Sequence, residues 1–237
     1  MTSETAGAPG RALDGIAYGL IGVVLSIYYP GGGAGIGGAV RYWHLLPVAW
    51  ITVSVFHFTG GISDREGCRG LCLRLRFSGL CAVGFSPFVT WWLRCGDHPY
   101  LVIGTVFGVL SGVWFLIDLS SLLIVLSSHA GGGTGATDAR IARMLLLYLL
   151  LIPILSLHVS FAAALLIMPG TVLADLERFW FLVPPLFRYL TVVPLLNLVR
   201  VCWQGAGRIW LQREGYAGDT PGVSGLDPAS SHSGELT

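Results

Sequence analysis

The apolar residues of this chain come in blocks near twenty long, the length a helix needs to cross about 30 Å of hydrocarbon. Blocks of that length exclude a soluble domain. The composition agrees, with 54% hydrophobic and only 11% charged residues, where soluble domains carry roughly 25% charge. The expected fold is all-α, a polytopic membrane protein with about six transmembrane helices. The blocks cover residues 12–29, 40–60, 77–93, 100–126, 141–168 and 179–200. A loose tail over 1–11 precedes a membrane domain over 12–204. The polar stretch 205–237 is too poor in apolar residues to form a core and reads as a largely disordered cytoplasmic tail. The first block is read as an uncleaved span, not as a signal peptide, because Asp14 lies within it and the block runs on to Pro30.

Arginine sets the orientation, since basic residues near span ends favour the cytoplasmic side. With six spans, one side collects Arg11, Arg65, Arg69, Arg74, Arg76, Arg140, Arg143, Arg208 and Arg213. The other holds only Arg41, Arg94 and Arg178. Both termini are therefore expected in the cytoplasm. The localisation this implies is the cell membrane, the cytoplasmic or inner one if the source is bacterial. All fourteen basic residues are Arg, so chemistry built on a lysine Schiff base or a Walker-type lysine is excluded. A net charge of +1 predicts no nucleic-acid partner.

Small residues mark the packing faces. Gly104, Gly108 and Gly112 repeat every four residues, and Gly15, Gly19 and Gly22 lie nearly on one face, patterns that let membrane helices approach closely. Arg65, Arg69, Arg74 and Arg76 are read as a basic loop or interfacial segment facing anionic lipid. Residues 127–139 (SSHAGGGTGATDA) read as a Gly-rich linker.

Polar groups inside the spans are costly, at least about 2.5 kcal/mol for a charge at the bilayer centre, so each should find a partner or water. Counting depth at about 1.5 Å per residue places Asp118, His57, Asn197 and Arg200 in the inner third. Arg188 and His158 form a layer nearer the outside. Asp118 is the one carboxylate well inside a span, and the depth match pairs it with Arg200, helped by Asn197. The span over 179–200 stands out because it combines Arg188, Asn197 and Arg200 with three prolines.

No catalytic constellation is present. Ser160 or Ser111 with His158 or His57 would be the raw material of a rhomboid-like protease, but no serine has a GxSxG context. Cys68 and Cys72 share a helical face without the spacing of a zinc or redox motif, and Asp97 and His98 are two ligands only. No metal and no cofactor are expected. The functional expectation is a non-enzymatic multi-pass membrane protein, structural or a subunit of an assembly. Its partners are the lipid bilayer and other membrane subunits or a second copy of itself. The alternative is a small-solute or ion transporter using Asp118, Arg188 and Arg200. A Pro, His and Gly pattern shared by the first and last three spans suggests the inverted repeat of many such transporters.

Overall fold

The computed structural model describes residues 8–28, 45–63, 67–95, 99–129, 133–156 and 192–218. These form six helices: α1 (Ala8–Tyr28), α2 (Leu45–Ile62), α3 (Arg69–Cys95), α4 (Pro99–His129), α5 (Gly133–Leu145) and α6 (Val192–Gly218). A π-helical stretch, Leu146–Leu151, extends α5. Four windows are long and apolar enough to cross a membrane: Leu45–Ile62, Arg69–Phe88, Ile103–Ser128 and Gly135–Ser156. The expectation of six such helices is met by four among the described residues.

Consecutive helices pack side by side, and α6 returns against α1, so the bundle closes on itself. The small residues of α1 explain its contact with α2. Gly15 faces Ser54, Gly19 faces Ile51 and Gly22 faces Pro47, an antiparallel register in which any larger side chain would collide with α2. The α3–α4 pair is also antiparallel, with Phe88 over Gly104, Phe85 over Gly108 and Phe115 over Gly79. Gly112 departs from the expected packing face: a side chain there would meet nothing within 4 Å. The four-residue spacing rotates steadily around the helix, and by the third glycine it has left the contact.

Leu13, Ile16 and Leu20 of α1, Leu119 and Leu122 of α4, Leu146, and Leu198 and Cys202 of α6 form a closely packed centre. Cys68 and Cys72 are buried in the same core as free thiols. The outside is equally apolar. Leu46, Trp50, Phe77, Ile103, Phe107, Tyr148 and Leu196 are all exposed. A continuous apolar exterior of this extent is unfavourable in water and suits hydrocarbon.

Prolines are accommodated locally. Pro87 lies inside α3 and cannot donate to the carbonyl of Val83. The Ser86 hydroxyl donates to that carbonyl instead, at 2.7 Å, the kind of side-chain repair that lets membrane helices carry proline. Pro153 follows the π-helical stretch, where the Ile152 N–H donates to the Leu147 carbonyl five residues back. The wider turn relieves the clash that a proline ring imposes on the preceding turn.

Three boundaries differ from the sequence reading. The helix α3 begins at Arg69 and not at Phe77, so the basic residues Arg69, Arg74 and Arg76 are helical and not a loop. Most of the expected 127–139 linker is helix, the end of α4 and the start of α5. The last helix runs past Gln204 to Gly218. The tail over 1–7, the turn at 30–38, Arg65, the Asp97–His98 pair, the segment 157–191 and residues 219–237 lie outside the described residues.

The two glycine faces make a testable contrast. Gly104→Val should destabilise the bundle by about 1–3 kcal/mol through overpacking against Phe88. Gly112→Val should change stability by less than about 0.5 kcal/mol. Thermal unfolding of the detergent-solubilised protein measures both, and equal losses would contradict the packing described.

Candidate functional site

Most charged residues of the described helices lie toward one end of the bundle; Arg94, in the last turn of α3, is at the other. The antiparallel register brings together the N-terminal ends of α1, α3 and α5 and the C-terminal ends of α2, α4 and α6. Arg11, Asp14, His57, Arg69, Arg74, Arg76, Asp118, Asp138, Arg140, Arg143 and Arg200 lie toward that end.

Asp118 of α4 is the centre of this layer. Its side chain is 2% exposed, and Arg74 of α3 donates to its Oδ1 at 2.8 Å. The Arg74 guanidinium also lies 5.6 Å from the ring centre of Trp114, one turn before Asp118. Among the described residues, the other carboxylate oxygen, also buried, has no hydrogen-bond partner. Arg74 itself remains 56% exposed. The pair therefore joins a desolvated acid to a base that still reaches the surface.

Asp118 is thus paired with Arg74 and not with Arg200. The reason is the start of α3. With the helix beginning at Arg69, its first turns lie level with the last third of α4, and Arg74 reaches the acid directly. Arg200 of α6 instead approaches α5. With the Gln204 amide oriented to satisfy both neighbours, its oxygen accepts from Arg200 Nε at 3.2 Å and its nitrogen donates to Asp138 at 3.0 Å. Asn197 is half-buried on the same helix.

Arg76, two residues after Arg74, points to the opposite side of α3. Its Nε donates to the Thr59 hydroxyl of α2 at 2.7 Å, and its guanidinium lies 5.4 Å from the ring centre of Phe56. Thr59 passes the bond on, donating to the Val55 carbonyl at 2.7 Å. Two residues along a helix turn about 200°, so an Arg-x-Arg pair can hold two neighbours at once. That spacing was the available signal that these arginines bind protein.

His57 stands apart from Asp118. It is exposed on α2 and lines a cleft of about 360 Å³ beside α1, together with Arg11, Ala12, Gly15, Trp50, Val53 and Ser54. Among the described residues, no group of three His, Cys, Asp or Glu side chains could hold a metal ion. Arg188 and His158 lie outside the described residues. Comparison with protein-family models, curated proteins and solved structures finds no match to this chain.

The geometry ranks the two arginines. Arg74→Gln leaves a buried carboxylate unpaired and should cost about 1–3 kcal/mol, less than a fully buried pair because Arg74 is half in solvent. Arg200→Gln removes one side of an amide bridge and should cost about 1 kcal/mol or less. Denaturant unfolding in detergent compares them, and a larger loss for Arg200→Gln would contradict the assignment.

Proposed function

We propose that the chain is a multi-pass integral membrane protein with a structural or assembly role and both termini in the cytoplasm. Its exposed apolar sides are available to lipid or to other membrane subunits. The observation that carries this reading is the use of Asp118. It is the one carboxylate well inside a span in the sequence reading, and it is held by Arg74 inside the bundle. A transported cation needs a carboxylate it can reach, and this one is desolvated and already neutralised. Arg76 and Arg200 are likewise engaged with Thr59 and Gln204. Ion pairs of this kind fix helix register, which is what an assembly scaffold requires.

The orientation rests on the gathering of Arg11, Arg69, Arg74, Arg76, Arg140 and Arg143 at one end. Basic residues near span ends favour the cytoplasmic side. Nothing in this reading assigns a reaction, a metal or a cofactor to the chain.

Two measurements test it. Reporter fusions after Gly218 and before Ala8 should both report a cytoplasmic location; a periplasmic or extracellular signal from either would overturn the topology. In proteoliposomes, ion and proton flux through the wild-type protein should match that of empty vesicles. Flux abolished by Asp118→Asn would overturn the structural role in favour of transport.

A further inference from the structure

The cleft between α1 and α2 carries an excess of donors with nothing to receive them. Its lining combines the Arg11 guanidinium, the His57 imidazole, the Ser54 hydroxyl and the Trp50 indole N–H. Among the described residues, none of these side chains has an ion-pair or hydrogen-bond partner. Among the described residues, no carboxylate lines the cleft. The nearest in sequence, Asp14, is half-buried and does not line it. The cleft exists because residue 15 is glycine: a side chain there would come within 2.5 Å of Ser54 Oγ. Its remaining walls, Ala12, Val53 and the face of Trp50, are apolar, and Val53 and Trp50 continue into the exposed apolar exterior of α2.

From this arrangement we infer that the α1–α2 cleft binds the phosphate headgroup of an anionic phospholipid from the leaflet at the arginine-rich end. Arg11 supplies the fixed positive charge. His57, Ser54 and Trp50 supply directed N–H and O–H donors to the phosphate oxygens. The acyl chains run along the exposed surface of Trp50 and Val53. A volume of about 360 Å³ falls within the range of small-ligand sites, roughly 300–1,000 Å³. The continuity of the cleft with the apolar exterior selects a lipid over a free anion, which would leave Trp50 and Val53 uncovered. The inference rests on the membrane reading above but not on the structural role.

Native mass spectrometry of the full chain in mixed micelles tests it, with equimolar phosphatidylglycerol and phosphatidylcholine as probes. The protein should retain phosphatidylglycerol in preference to phosphatidylcholine. Arg11→Gln should lower that occupancy about fivefold, the effect of one basic residue near an anionic surface, and adding His57→Ala to it should lower it further. Arg140→Gln, an exposed arginine toward the same end but outside the cleft, should leave it unchanged. Equal retention of the two lipids would overturn the site. So would wild-type occupancy in Arg11→Gln, or an equal loss in Arg140→Gln, which signals a diffuse surface effect. Displacement of the lipid by millimolar glycerol phosphate would show a soluble anion as the occupant instead. Arg11 and His57 are exposed, so both variants should fold, and their resistance to carbonate extraction reports this separately. A variant that stays in the membrane but keeps full lipid preference sinks the lipid site alone. Wild-type protein released by carbonate sinks the membrane reading itself.

Discussion

The contact between Arg74 and Asp118 sets the depth at which α3 meets α4, and much of the bundle follows from that depth. Once the two charges are level, Phe115 falls over Gly79, Phe85 over Gly108 and Phe88 over Gly104. Any slip of one turn would separate the charges by about 5.4 Å and drive an aromatic ring into a residue larger than glycine. The carboxylate cannot be left alone, because an unpaired charge in a low-dielectric interior costs several kcal/mol. Arg76 then extends the constraint to α2 through Thr59. One stretch of α3 thereby holds the helices on both of its sides.

The same layer divides the molecule by polarity. Toward one end the helices meet through guanidinium groups, hydroxyls and an amide. Through the middle they meet through leucines and glycines. This asymmetry is the physical basis for the proposal that one end faces the cytoplasm. It also separates two kinds of polar group: those consumed between helices, such as Asp118, Arg74, Arg76 and Thr59, and those left facing outward. The donors of the α1–α2 cleft belong to the second kind and are the groups proposed to hold a lipid headgroup.

The long apolar helices, the glycine face of α1 and the close contacts at Gly104 and Gly108 of α4 were legible in the sequence because all depend on local spacing, whereas Gly112 lies off the contact. Block length reports bilayer thickness, and Gly15, Gly19 and Gly22 report a close helix contact whatever the partner is. The partner of Asp118 was not legible. Its identity depends on where α3 begins, and hydropathy places that start after Arg76 because three arginines dilute the signal. The helix in fact begins at Arg69, since arginine is a good helix former and its long stem can lie along apolar surface. The 127–139 segment misled for the opposite reason: its glycines suggest a linker, but Ala136, Ala139 and Ala142 are buried on one face and stabilise a helix there. The role of Arg11 and His57 required the pairing of α1 with α2, which no single helix reveals.

The central claim is that Asp118 is a buried charge neutralised by Arg74. Its most direct test compares Arg74→Gln and Asp118→Asn with the double variant Arg74→Gln/Asp118→Asn by denaturant unfolding in detergent. If Arg74 serves to neutralise Asp118, removing the acid's charge makes the arginine dispensable, and the double variant should recover at least half of the stability lost in the single one. A double variant as unstable as the sum of the two single substitutions would show that the residues act independently and would contradict the account.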